Sequence, residues 1–308
     1  MTIQVGQIVL GRYLVEDELG QGAMGRVFRG KHLKLTCQVA IKVLHPHLIA
    51  EGNMVERFHR EAKNAARMQH PNVVSVLDYG EAGGDQVMVL EFAPGRSLRA
   101  FMAVAMRPER IVALVRPILS GLAHAHAAGL IHRDLKPENI IVETTADGVE
   151  QPRIVDFGIA VIRDPDDTVA TTKLTASGEV LGTPIYMAPE QAKCEPFDHR
   201  IDLFALGVIV YELLAGCTPF EGTAMEVAIA NISADPPAIA DRAPDVAVDP
   251  LLERFARKLM ARRVADRFAS AQAALELLDL VEHDRESAAL ALGFMDVAKA
   301  TNVVSLAR

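Results

Sequence analysis

The sequence predicts an α+β chain in two lobes, a small strand-rich N-lobe with one key helix followed by a larger helical C-lobe. Three observations predict it. Strand-favouring residues crowd the first ninety positions around a glycine turn, one amphipathic helical stretch interrupts them, and Pro94-Gly95 breaks the chain ahead of a run of helical patterns. Tyr13 to Gly30 reads as two strands joined by the turn, because Val27 and Phe28 favour strands and no amphipathic helix begins after Gly25. Val39-Ala40-Ile41-Lys42 reads as the next strand. Between Met54 and Met68, apolar residues at 54, 55, 58, 62, 65 and 66 follow a helical period, which places Glu61 on a long helix. Val73 to Leu77 and Gln86 to Phe92 complete the small sheet, with a hinge at Glu91 to Ala93. Helices are predicted at Ile111 to Ala128, Asp202 to Ala215, Pro250 to Met260 and Ala269 to His283. Pro117 should kink or locally break the first of them. Residues Asp284 to Arg308 read as a weak helix or flexible tail.

With 308 residues, half of them apolar, the chain can bury a substantial core. A formal net charge of -8 argues against general nucleic-acid binding. Cys37, Cys194 and Cys217 are odd in number and lack paired metal-ligand spacing, which argues against a disulfide framework or zinc site and fits a reducing cytosol. Met1-Thr2-Ile3-Gln4-Val5 has no signal-peptide pattern, and the longest apolar stretch, Leu203 to Tyr211, is too short to span a bilayer. A cytoplasmic protein without a membrane span is expected.

Four motifs in fixed order carry the chemistry: Gly20-Gln21-Gly22-Ala23-Met24-Gly25-Arg26-Val27, Val39-Ala40-Ile41-Lys42, His132-Arg133-Asp134-Leu135-Lys136-Pro137-Glu138-Asn139, and Asp156-Phe157-Gly158. A glycine pattern alone recurs by chance, and in a dinucleotide fold it would open a helix; here it joins two strands and Lys42 follows. The ordered set, closed by Ala188-Pro189-Glu190, supplies a phosphate cover, a phosphate-pairing cation, a base and two oxygen ligands for a hard cation.

On these residues the chain resembles the eukaryotic-type protein kinases from about Tyr13 to about Val281, and most of all their bacterial Ser/Thr branch. The resemblance implies a bilobal protein-kinase fold, with the kinase domain at 1–283, the N-lobe at about 1–92, the C-lobe at about 94–283, and a tail at 284–308. It implies ATP-dependent phosphorylation of serine and threonine in proteins, in signal transduction, with magnesium as cofactor and manganese as a possible substitute. Asp134 would accept the hydroxyl proton, Lys42 would meet the α- and β-phosphates with Glu61 as its ion partner, and Asn139 with Asp156 would hold the metal. Lys136, two residues after the base, matches the Ser/Thr class. Around the nucleotide the resemblance places Leu19, Gly20, Gln21, Gly22, Ala23, Met24, Gly25, Arg26, Val27 and Ala40, with Glu91 and Ala93 at the hinge, Leu90 as gatekeeper and a C-lobe apolar residue such as Ile141 beneath. Asp202 resembles the buried support of the catalytic loop, and Glu190 with Arg267 a structural ion pair.

Thr175 and Ser177 fall where related bacterial kinases carry activating phosphosites, and Arg133 is the cation such a phosphate could pair with. Thr183 reads as structural. Phosphorylation in trans would imply a transient homodimer. Two other readings stay open: a pseudokinase acting as a binding or scaffold module, and a small-molecule kinase of similar fold.

Overall fold

The computed structural model describes residues 3–22, 25–45, 62–63, 65–66, 68–157 and 184–301. A six-stranded antiparallel sheet takes up the front of the chain: β1 (Ile8–Val9), β2 (Tyr13–Gly22), β3 (Gly25–His32), β4 (Gln38–Leu44), β5 (Val76–Ala82) and β6 (Asp85–Glu91), in the order β1-β2-β3-β4-β6-β5. β2 and β3 form the expected hairpin, in register to Gly22 opposite Gly25. Gly25 has a packing reason to be glycine, since a Cβ there would lie 2.0 Å from the Val43 carbonyl oxygen on β4. Gly20 and Gly22 show none, since among the described residues a Cβ on either would meet nothing within 4 Å. Their exposed edge is open for another molecule to approach the backbone.

The strand expected at Val73 to Leu77 begins three residues later. Val73 and Val74 are instead bound to the C-lobe, the Val74 amide donating to the Ile154 carbonyl at 2.9 Å and the Ile154 amide to the Asn72 carbonyl at 2.8 Å. A second sheet of three strands, β7 (Arg96–Ser97), β8 (Ile140–Thr144) and β9 (Glu150–Ile154), lies at that junction. Residues 62–66 include a helical bond from the Ala66 amide to the Ala62 carbonyl at 2.9 Å, and Ala62 and Ala65 are buried beside Leu90.

The C-lobe is built from α1 (Pro108–Ala127), α2 (Pro189–Ala192), α3 (Arg200–Ala215), α4 (Ala224–Ser233), α5 (Ile239–Arg242), α6 (Pro250–Leu259), α7 (Ala271–His283), α8 (Arg285–Ala291) and α9 (Val297–Thr301). α1 runs without interruption through Pro117, because Leu114, Val115, Ile118 and Leu119 around it are all buried and hold the helix by tertiary packing. α3 is apolar on every face and every residue from Ile201 to Ala215 is buried, so it is the axis of the lobe. Gly207 lets α6 approach it, for a Cβ there would lie 2.8 Å from the Leu259 side chain.

Where a weak helix or flexible tail was expected, α8 and α9 pack on the lobe. Ala288, Ala289, Leu292 and Ala300 are buried in the main core, and Arg285 pairs with Asp249, the N-cap of α6, at 2.9 Å. Alternating small residues gave this segment little periodic signal. No helix among the described residues is long and apolar enough to cross a membrane.

Candidate active site

The catalytic-loop motif folds around one buried carboxylate. Asp202, in the first turn of α3, accepts the backbone amides of His132 at 2.8 Å and Arg133 at 2.9 Å, and the Nε2 of His126 at 2.8 Å. Burial pushes this carboxyl up, but the hydrogen bond and charge of His126 and the amide donated by His132 outweigh it and leave the group below its ordinary value. Anchored this way, Arg133 sits at φ 67°. Backbone this rare for a non-glycine residue persists only where its surroundings enforce it.

Next in the chain, Asp134 stands half in solvent and accepts three hydrogen bonds from two side chains. The Lys136 ammonium lies 2.7 Å from its Oδ2, and the Asn139 amide donates to its carbonyl at 2.8 Å and to its Oδ2 at 3.4 Å. Asn139 is buried in a short 3-10 turn (Pro137–Asn139), opened by Pro137 whose missing N–H costs nothing at that position.

Asp156 follows β9 and has φ 64°, the second strained non-glycine backbone in the site. Its Oδ1 is 3.0 Å from the Lys42 Nζ, so the two lobes meet in this pair. Burial raises the Asp156 carboxyl while the Lys42 ammonium lowers it further, and the net direction is down. Nearly a third of the side chain is exposed, against 7 % of Lys42. Asn139 and Asp156 are brought together by the Val155 amide, which donates to the Asn139 carbonyl at 2.9 Å.

His132 connects these parts, a role the sequence reading did not give it. Its Nε2 is 2.8 Å from the Val155 carbonyl, which fixes a donor there, and its Nδ1 accepts the Asp134 amide at 3.3 Å. Its ring also meets Phe157 edge-on at 4.8 Å. One imidazole thus ties the base segment to the metal-ligand segment.

At the expected adenine slot, Ala40 stands opposite Leu90 in the β4–β6 register, and Ala40, Ala93 and Val155 line the small cluster that Leu90 anchors. Val155 was not among the expected lining residues. Val27 and Ile141 are half-buried, and Leu19 and Gly20 are exposed on β2 with Gln21 and Gly22, opposite Arg26 and Gly25. Glu91 is held at the hinge by Arg153 of β9 and by the Ser75 amide at 3.2 Å. Arg153 lies 62 positions from Glu91 and carries no local signal for this. Glu61, Ala23, Met24, Thr175, Ser177 and Thr183 lie outside the described residues.

Glu190 and Arg267 form a bidentate pair at 2.6 and 2.8 Å with side chains 6 % and 0 % exposed. Gln191 ties this segment to the catalytic loop, donating to the Arg133 carbonyl at 3.1 Å. Beneath lies a network that spacing alone could not reveal: Arg99 pairs with Glu138 at 2.8 Å, Glu212 at 2.6 Å and the Tyr186 hydroxyl.

The description "Protein kinase domain" matches residues 13–278. The chain belongs to the protein kinase family. It is 42% identical over 285 residues to "Serine/threonine-protein kinase pkn3" of Myxococcus xanthus, covering 91% of this chain and 52% of that one. It is 37% identical over 266 residues to "Serine/threonine-protein kinase PknL" of Mycobacterium tuberculosis, covering 84% of this chain and 63% of that one. The crystal structure of the Mycobacterium tuberculosis PknI kinase domain superposes with a TM-score of 0.67 at 28% identity, covering 91% of this chain and 99% of that one. The bilobal kinase fold is thereby established. The chain spans about half or less of the length of the Myxococcus kinases it matches.

Proposed function

We propose that this kinase domain transfers the γ-phosphoryl group of ATP to serine and threonine hydroxyls of proteins, in the cytoplasm and in signal transduction. The observation that carries the reading is the junction of Asp134, Lys136, Asn139, Asp156 and Lys42 within one hydrogen-bonded frame. Asp134 has an exposed carboxylate on a loop fixed from below by Asp202, the arrangement needed to take a hydroxyl proton at a set position. Lys136, 2.7 Å away, presents a cation where charge on a transferring phosphoryl would collect. Lys42 offers a compact ammonium to the α- and β-phosphates beneath the open glycine edge at Gly20 and Gly22. Ala40, Ala93, Leu90 and Val155 supply an apolar slot for the base, and the hinge backbone at Glu91 and Ala93 its edge contacts.

Protein kinases use ATP with a divalent cation, and Asn139 with Asp156 would hold it here. The donor set fits magnesium: two oxygen side chains, one a half-open carboxylate, leave most of the coordination to water and phosphate oxygens. When bound, the cation neutralises charge on the phosphate oxygens. Orientation and proton acceptance remain with the chain's own residues.

The serine/threonine preference rests on Lys136 and on the serine/threonine-protein kinases the chain resembles. All the residues a degenerate pseudokinase would lack are present in the sequence, and nothing favours that alternative. Thr175 and Ser177 are proposed as autophosphorylation sites, modified in a transient homodimer. The test is radiolabelled phosphate transfer from ATP with magnesium, comparing the intact chain with Asp134→Asn on itself and on a generic protein substrate. Transfer should fall by about 10²- to 10⁴-fold in the variant, as loss of a positioned base requires. Undiminished transfer would remove Asp134 from the mechanism, and no transfer by either chain, with ATP bound and the loop unphosphorylated, would return the pseudokinase reading.

A further inference from the structure

The C-lobe carries a second concave site far in sequence from the catalytic loop. α6 is strongly two-faced: Leu251, Leu252, Phe255, Ala256 and Leu259 are buried, while Arg254, Arg257 and Lys258 fall on the opposite face at helical spacing. Together with Arg262 and Arg263 of the following turn they line a groove of ≈ 460 Å³. Asp235 and Asp266 are the carboxylates of its wall, so five cations face two acids. This local excess of positive charge stands out in a chain whose formal net charge is -8. Leu292, which closes one side, lies beyond the residues 13–278 that match the kinase family, so the packed tail helps to build the groove.

The cations are not used up by the protein. Elsewhere on the lobe, arginines hold carboxylates tightly: Arg110 with Glu150 at 2.7 Å, Arg200 with Asp198 at 2.7 Å and Arg285 with Asp249 at 2.9 Å. In the groove, among the described residues, only Arg262 does so, pairing with Asp235 at 2.8 Å and donating to the Ser233 carbonyl at 2.8 Å, which fixes the wall. Among the described residues, Arg257 and Arg263 have carboxylates only at 3.9 and 3.7 Å. Arg254 donates to the Leu292 carbonyl at 3.3 Å, and Lys258 lies over the Phe268 ring at 4.8 Å; neither has a carboxylate partner among the described residues. A row of guanidinium forks and one ammonium, spaced by helical turns and set in a hollow, matches a compact dianion.

We propose that this groove binds a phosphorylated peptide segment. A phosphoryl group puts about two charges and three acceptors into a small volume, which Arg254, Arg257 and Lys258 can reach together. The rim decides against a membrane surface, since Asp235 and Asp266 are 70% and 58% exposed and would meet a flat anionic bilayer first. A long nucleic-acid polyanion would be repelled by the rest of the molecule. The choice of phosphoserine or phosphothreonine as the group rests on the protein-phosphorylating function proposed above, whereas binding itself does not require activity. A kinase domain with such a groove would hold an already phosphorylated protein while other hydroxyls reach Asp134.

Fluorescence anisotropy with a short Gly/Ser peptide carrying one phosphothreonine, and with its unphosphorylated twin, tests this on the full chain. The phosphopeptide should bind and the twin should bind roughly tenfold or more weakly. Arg254→Gln with Lys258→Gln should weaken the phosphopeptide by a similar factor, and Arg257→Gln, removing a single charge, by less. Thermal unfolding of each variant identifies any that fails to fold, in which case the single substitutions and rising salt, which should weaken binding, give the same reading. Asp134→Asn should bind the phosphopeptide as the intact chain does, so that loss of phosphoryl transfer and loss of docking are separate results. Equal binding of the twins, full binding by the double variant, or binding to phosphatidylserine vesicles without binding to the phosphopeptide would overturn the proposal.

Discussion

Asp156 and Asp202 are two carboxylates of one catalytic centre, both held below their ordinary range, yet they are built in opposite ways. Asp202 is 1 % exposed and saturated by two backbone amides and an imidazole, all on fixed C-lobe elements. Asp156 meets one ammonium from the other lobe, has a side open to solvent, and sits on strained backbone. A carboxylate ringed by fixed donors has nothing left to offer a ligand and serves as scaffold. One opposed by a single ammonium and open on one side can take a further partner, which is what a metal-holding residue requires.

The sharpest way to break this distinction is to remove each charge in turn. Asp156→Asn should lower phosphoryl transfer by on the order of 10²–10³-fold or more, the scale for losing one group that stabilises developing charge. Its thermal unfolding should fall less than that of Asp202→Ala, because Asp156 has one partner and a side open to water. A variant that lost its fold along with its activity would make Asp156 scaffold after all. Asp202→Ala should do the reverse in stability, costing about 3–5 kcal/mol in urea unfolding, because His126 and the amides of His132 and Arg133 lose their common acceptor in a dry site. A cost under about 1 kcal/mol would mean that water or another group replaces it.

The same pair predicts a pH dependence. A carboxyl whose folded pKa lies below its unfolded value near about 3.9 contributes stability above that pH, and loses it as pH falls through the folded value. Stability from both groups is therefore complete at neutral pH and declines only on the acid side. Urea unfolding at descending pH should show a shallower acid decline in Asp202→Asn than in the intact chain. An unchanged slope would show that Asp202 gains nothing from being ionised in the folded state.

The motif residues were legible because their chemistry is dense and local: Asp134, Lys136 and Asn139 lie within six positions and meet as their spacing implies. The start of α6 was equally legible, with Pro250 at its first position as expected. What stayed hidden was contact made across long separations. Arg99 reaches Glu212 over 113 positions, Arg153 reaches Glu91 over 62, and neither leaves a periodic trace. Pro117 misled for a related reason, since local propensity could not weigh the buried neighbours that carry the helix through it. The tail's alanines likewise look bland until the core they fill is known.

The smallest expected effect isolates burial itself. Arg110 grips Glu150 through two hydrogen bonds at 2.8 and 2.7 Å, nearly the geometry of Arg267 on Glu190 at 2.6 and 2.8 Å. The Glu150 carboxyl is lowered by its hydrogen bond to Arg110, with burial opposing. The two pairs differ in surroundings: side-chain exposure is 36% and 27% for the first, 0% and 6% for the second. Water and salt screen the exposed pair, so Arg110→Gln should cost only about 0.2–1 kcal/mol and less in high salt. Arg267→Gln strands a buried carboxylate and should cost about 3–5 kcal/mol with little salt dependence. Denaturant unfolding of both variants at low and high salt makes the comparison at matched geometry. Equal costs would mean that the bidentate hydrogen bonds, and not the dryness around them, set the strength of ion pairs in this fold.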